Sequence, residues 1–278
     1  MNLDVPIEQA PLAFMDVETT GLDPLFGHRV CEIAVVRCTG HAIEETMDRL
    51  VNPQRPMGEG ALRVHGISDA MLQDAPLFEH IADELLALLE GAVFVAHNAP
   101  FDLGFLASEL VHARRPLPML VALDTLRLAR NNMQANSYSL GNLCLQLGIE
   151  LDDAHRAMND VLATRELFLR LVARLKRRGA VTVADYIRAQ GGPLRRAKVP
   201  AADVPPAIRD AMQTGRLLHM RYSDARGAMS ERLVRPIQVE SRGGRLYLVA
   251  HCLLRNDSRT FAVERIQAMA AVDDTAEG

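Results

Sequence analysis

The chain has 278 residues, of which 49% are hydrophobic and 24% charged, with a net charge of −4. These values exclude a disordered or collagen-like chain, and the length is comfortable for two domains. No apolar run approaches the roughly 18–20 residues of a membrane span, and the start MNLDVPIEQAP lacks a basic-then-apolar signal pattern, so a cytoplasmic protein with no membrane partner is expected.

In chain order, Leu12–Glu18 reads as a buried strand running into the turn signal Thr19-Thr20-Gly21. Arg29–Cys38 and His41–Val51 read as two further strands joined at Thr39-Gly40. Phe78–Glu90 carries apolar residues at helical spacing and stops at Gly91; Ala92–Ala96 is a short strand. Asn98-Ala99-Pro100 then opens a helix in cap-then-proline order. Helices follow at Asp124–Arg130, Ser139–Leu147 and Ala157–Arg178, the last ending in a basic run that suits a helix C-terminus. Interleaved strands and helices make residues 1–180 an α/β domain. Gln190–Pro206, rich in Gly, Pro and Ala, reads as a linker, so that 181–206 is helix and linker. Beyond it, Leu217–Tyr222, Glu231–Glu240, Arg245–Leu254 and Arg259–Val263 are short β runs with turns at Asp224–Gly227, Gly243-Gly244 and Asn256-Asp257. They make 207–278 a small, mostly β domain.

Charge divides along the same boundary. Residues 1–180 carry −8 and residues 181–278 carry +4, and all basic residues except Lys176 and Lys198 are arginine. An acidic front half calls for cations, and a basic back half suits polyanions. The four cysteines, Cys31, Cys38, Cys144 and Cys252, contain no CxxC pair, which argues against a zinc ribbon. Buried, reduced thiols are the expected state.

Asp16 and Glu18 stand two apart on one strand, so their carboxylates leave the same face and repel unless a hard divalent cation neutralises them. A second acid, Asp102 in His97-Asn98-Ala99-Pro100-Phe101-Asp102, falls one turn into the helix after a strand. A third piece is His155-Arg156-Ala157-Met158-Asn159-Asp160. Five helical residues turn through about 500°, so His155 and Asp160 converge only if His155 lies on the preceding loop, for which Asp152-Asp153 are suited. Taken alone, each piece also fits a surface acid or a helix-dipole partner.

Together they resemble the DEDD-type 3′→5′ exonucleases with a histidine in the third motif, the DnaQ-like family that includes polymerase proofreading subunits. The resemblance runs from about Leu12 to Arg174 through DVETTGL (16–22), VHGIS (64–68), HNAPFD (97–102), YSLGNLCLQLGI (138–149) and HRAMND (155–160). It implies a ribonuclease H-like fold with a central mixed sheet. Asp16, Glu18, Asp102 and Asp160 would bind two Mg²⁺ or Mn²⁺ ions about 4 Å apart, with His155 as general base. Thr19, Gly21 and Leu22 would receive the 3′-terminal nucleotide, and His65, Asn98 and Phe101 would line the channel. Phe101 and Asn98 equally suit core packing and helix capping.

Residues Ala207–Val272 resemble a WYL domain, an SH3-like β module, through RLLHMRYSDARG (216–227) and the run 232–266. Its naming tripeptide is here Leu246-Tyr247-Leu248, without the tryptophan. The resemblance implies nucleic-acid or charged-ligand contacts from Arg235, Tyr247, Arg259 and Arg265.

The leading expectation is thus a metal-dependent exonuclease on single-stranded DNA or mismatched 3′ ends, with a DNA polymerase or repair protein as candidate partner. An RNA-trimming exonuclease is the alternative within the class, since the distinction rests on tolerance of the 2′-OH. A WYL-type regulator whose nuclease fold only binds is the alternative from another class.

Overall fold

The computed structural model describes residues 2–151, 154–194, 204–224, 227–242, 245–255 and 257–272. The predicted Asp152-Asp153 loop, most of the linker (195–203) and the turn residues 225–226, 243–244 and 256 lie outside the described residues. The chain forms two units, Met1–Gly21 with Arg29–Arg196, and Leu22–His28 with Ala197–Gly278. Among the described residues no helix is long and apolar enough to cross a membrane.

The first unit is built on a mixed five-stranded sheet in the order β3-β2-β1-β4-β5, with β1 Pro11–Thr19, β2 Val30–Thr39, β3 Ala42–Leu50, β4 Val93–Ala96 and β5 Val121–Asp124. β1 lies antiparallel to β2 and parallel to β4. Both faces of β1 are covered, so its residues alternate between two cores instead of between core and water. Leu12 and Phe14 enter the core beneath α7 (Ala157–Lys176), where the rings of Phe14 and Phe168 meet edge to face at 5.4 Å. Ala13, Met15 and Val17 enter the other, with α3 (Phe78–Leu89) and α4 (Ala99–His112). The period of two therefore puts Asp16 and Glu18 on the α7 side. Two short helices, α1 (Glu59–His65) and α2 (Asp69–Leu72), follow β3; α5 (Thr125–Asn132), α6 (Leu140–Leu147) and α8 (Val183–Ala189) complete the unit.

The start of the predicted linker is part of this unit. Gln190 is fully buried; its side-chain Oε1 accepts the Asp124 N–H at 2.8 Å and its Nε2 donates to the Ala122 backbone carbonyl at 3.1 Å. A composition rich in Gly and Pro signals a linker only where no side chain finds a partner, and Gln190 finds one on β5.

In the second unit an antiparallel sheet runs β10-β6-β7-β8-β9: β6 Leu217–Ser223, β7 Met229–Arg242, β8 Arg245–Cys252, β9 Asp257–Ala262 and β10 Ile266–Val272. α9 (Pro206–Thr214) precedes it. Two elements differ from the sequence expectation. β10 was not expected, because IQAMAAV is alanine-rich and only Ile266 is buried; pairing with β6 makes it a strand. The core also takes Phe26, 1% exposed on a short 3-10 turn, alongside Ile208, Leu218, Val234 and Leu248. Leu246, where a tryptophan is missing, packs partly buried against this core.

All four cysteines are buried and unpaired.

Candidate active site

The carboxylates gather where β1 ends and α4 and α7 begin. Glu18 pairs across the strands with Glu32, after which a bulge brings Thr19 opposite Val30. The loop beyond is pinned by Thr20 and Arg29: the Thr20 N–H donates to the Arg29 carbonyl at 2.9 Å, and the Arg29 N–H donates to the Thr20 side-chain Oγ1 at 3.1 Å. Thr19 Oγ1 donates to the Gly21 carbonyl at 2.6 Å.

Asp102 lies in the first turn of α4 and is 2% exposed. Asn98, expected to cap this helix, sits in the left-handed region at φ 72°, and its side chain makes no capping hydrogen bond. The turn is held from outside, by the Asp124 carboxylate, which accepts the Asn98 N–H at 3.0 Å. Phe101 is half-buried with its ring 5.0 Å from that of Phe105.

The third piece resolves as the spacing required. α7 starts at Ala157, so Asp160 is in its first turn and His155 is on the loop, exposed and at φ 70°. The Asp160 carboxylate accepts the His155 backbone N–H. Ligand atoms of Glu18, His155 and Asp160 lie within 4.8 Å of one another.

These acids are poised to lose charge unless a cation joins them. Burial first, then the negative charges of Asp102, Asp160, Glu18 and Glu32, push Asp16 well above the usual carboxylate range. Glu18 is raised to about 8, again by burial first and then by Asp160, Glu32 and Asp102. Burial also raises Asp102 and Asp160. Asp160 Oδ1 is buried without a hydrogen-bond partner. An all-oxygen donor set with repelling charges and an orphaned oxygen fits a hard divalent cation.

His65 is 7% exposed, and its ring faces the protein. The Ile67 N–H donates to Nδ1 at 3.0 Å, so Nε2 carries the proton and donates to the Thr19 carbonyl at 3.3 Å. Burial lowers its pKa and keeps the ring neutral. Leu22 is 53% exposed and belongs to the second unit.

Three buried acids that serve this site escaped the sequence reading: Glu32, Glu109 and Asp124, each no more than 2% exposed. Glu109 takes a fork from Arg29 at 2.7 and 2.8 Å and the Val30 N–H at 2.9 Å. A lone acid in the apolar run CEIAVV, and an acid seven residues after Asp102 on the same helix face, were the available signals.

In the second unit the strand register separates the four expected ligand residues. Arg235 pairs with His251, which shares a face of β8 with Tyr247, whereas Arg259 pairs with Ala250 on the opposite face. Arg265 is exposed on the 3-10 turn before β10. Arg259 instead lines a cavity of about 520 Å³ with Tyr222, Ser230, Arg232 and Arg255.

The chain is 38% identical over 202 residues to a DNA polymerase III subunit epsilon-like protein of Rhodobacter capsulatus, covering 69% of this chain and 28% of that one. It is 36% identical over 164 residues to the DNA polymerase III subunit epsilon of Rickettsia felis, covering 56% and 72%. The chain thus spans between about a quarter and three quarters of the length of these relatives. Among solved structures it resembles exonuclease X in complex with 5′ overhanging duplex DNA, at 26% identity and a TM-score of 0.51, over 65% of this chain and 99% of that one. It also shares the fold of exonuclease I, at 20% identity and a TM-score of 0.56, over 87% of this chain and 55% of that one. Residues 203–271 match the WYL domain model. Residues 13–168 match the exonuclease model, and the chain belongs to that ribonuclease H-like exonuclease family.

Proposed function

We propose that the first unit is a metal-dependent 3′→5′ exonuclease acting on single-stranded or mismatched 3′ ends of DNA. The observation that carries this reading is the convergence of Glu18, His155 and Asp160 within 4.8 Å beside two more buried or half-buried acids. Asp16, Glu18, Asp102 and Asp160 would hold Mg²⁺ or Mn²⁺, two ions in all. When bound, the ions supply charge stabilisation at the scissile phosphate and lower the pKa of the attacking water. The exposed His155 imidazole takes the proton of that water; oxygen bonds to phosphorus, the bond to the 3′ oxygen breaks, and the leaving oxygen is protonated.

Thr19, the last residue of β1, and Gly21, on the pinned turn that follows, are assigned the terminal nucleotide. The exposed Asn98 and half-buried Phe101 line the path of the next one. His65 acts from behind, through its bond to the Thr19 carbonyl. In the second unit, the arginine-lined cavity with Tyr222 supports binding of nucleic acid or another polyanion through Arg259, with Arg235, Tyr247 and Arg265 as contacts elsewhere on the surface. A DNA polymerase or repair protein is the candidate partner, on the names of the epsilon-type relatives.

Equal amounts of single-stranded DNA, 3′-mismatched duplex and RNA, degraded in one tube, test the substrate assignment. DNA should shorten fastest; faster loss of RNA would overturn the DNA assignment in favour of an RNA-trimming enzyme.

A further inference from the structure

Glu32 is the fifth acid at this end of the sheet, yet its surroundings differ from those of the other four. It lies on β2 opposite Glu18, 2% exposed. Oε1 accepts Arg156 Nη2 at 2.6 Å and Nε at 3.1 Å, while Oε2 accepts the Ala157 N–H at 2.9 Å. Both oxygens are thus engaged by protein donors, unlike Asp160, whose Oδ1 has none.

The Ala157 N–H is the first of α7, a donor the helix itself leaves unsatisfied, and Arg156 at the cap position provides no side-chain acceptor. Glu32 therefore caps α7 from a different strand. The same carboxylate grips the Arg156 side chain, so the two residues after His155 are tied to β2 at adjacent points. His155 is held at φ 70°, a conformation a non-glycine residue adopts only when its surroundings impose it.

The placement is also electrostatically unfavourable in isolation, because Glu32 raises Asp16, Glu18 and Asp160. An apolar residue, as elsewhere in CEIAVV, would fill the position without repelling them. What it would not do is fix the start of α7.

We propose that Glu32 is a positioning residue of the exonuclease, acting through Arg156 and Ala157 to set His155 and Asp160 against Glu18. The proposal rests on the general-base reading of His155. Glu32 takes no part in substrate binding, so its loss should appear in kcat and not in KM.

The test uses the full chain and a 5′-labelled single-stranded oligonucleotide. Glu32→Gln should lower kcat by about 10–100-fold, the scale of an ångström of misplacement, and leave KM within about twofold. Amide exchange at Ala157–Asp160 should quicken in the metal-free protein. Arg156→Lys, which keeps the cation without the fork, should retain more activity than Arg156→Met. The double variant Glu32→Leu with Arg156→Met separates positioning from folding, since it removes the buried carboxylate together with its half-exposed partner and leaves no buried charge unpaired. It should still unfold cooperatively, melt below the wild type because the Ala157 N–H loses its acceptor, and remain slow. A folded Glu32→Gln or double variant with wild-type kcat, or one altered only in KM, overturns the proposal. His155→Ala, assayed alongside, distinguishes the two layers. If it is slow while Glu32→Gln is fast, only the positioning role fails; if it keeps the wild-type rate, the general-base reading and the positioning role built on it both fall.

Discussion

One carboxylate oxygen of Asp124 accepts the N–H of Asn98 at 3.0 Å and that of Leu126 at 2.9 Å, so the end of β5 holds the start of two helices at once. The Asn98 turn leads directly into Asp102, and its left-handed backbone has no side-chain cap of its own. Asp124→Ala would leave two backbone donors without their acceptor, at about 1–3 kcal/mol each. We expect a loss of at least about 2 kcal/mol in urea melts and a lower exonuclease rate, with Asp124→Asn closer to wild type because one acceptor oxygen remains.

The acid cluster sets how stability responds to pH. Asp16, Glu18, Asp102 and Asp160 titrate higher in the folded chain than in the unfolded one, chiefly through burial and mutual repulsion. Groups raised in this way contribute stability that is complete below their unfolded pKa and lost as pH rises through the folded value. For Glu18 that window runs from 4.5 to about 8. Asp185, held down at about 2 by the N–H groups of Thr182 and Val181, works in the opposite sense only at more acid pH. The melting temperature of metal-free protein should therefore fall between about pH 4.5 and 8, at roughly 2–4 °C per kcal/mol. Mn²⁺ should restore it at neutral pH, and Asp102→Asn should flatten the fall. A metal-free profile that rises across this range would contradict the cluster.

A second carboxylate fork holds the far side of the loop after β1. Glu109, 1% exposed, binds Arg29 and the Val30 N–H, and Arg29 in turn bonds Thr20 through its backbone. Removing one partner of such a pair costs about 3–5 kcal/mol. Glu109→Ala should lose stability on that scale in denaturant melts, whereas Arg170→Ala, in an exposed pair with Glu166, should change it by less than about 1 kcal/mol.

Binding by the second unit is read from salt dependence. If the arginine-lined cavity binds phosphates, replacing Arg232 and Arg255 by alanine should weaken binding of a single-stranded oligonucleotide to the full chain carrying Asp16→Ala. It should reduce the slope of log K against log salt by about 0.7 for each phosphate that is no longer neutralised. An unchanged slope would remove the cavity from the interface.

Much of the candidate active site was legible because strand and helix periods are simple. Two residues of spacing put Asp16 and Glu18 on one face, and the 500° argument required His155 to precede its helix, which α7 bears out by starting at Ala157. What stayed hidden depends on partners distant in sequence. Glu32 meets Arg156 across 124 positions, and nothing local in CEIAVV says which donor it takes. Which sheet face each arginine of the second unit takes was hidden too: pairing of β7 with β8 and β8 with β9 sets Arg235 and Arg259 on opposite faces. β10 was invisible for a third reason: alanine carries little strand preference, and the strand exists through its pairing with β6.

The most direct measurement follows a 5′-labelled single-stranded DNA over time with the purified chain, in Mg²⁺ or Mn²⁺, in EDTA, and with Asp16→Ala. The account predicts a ladder shortening from the 3′ end that needs the metal and vanishes in the variant. An intact oligonucleotide in every lane, still bound by wild type and Asp16→Ala alike, would contradict the exonuclease and make the chain a nucleic-acid-binding regulator.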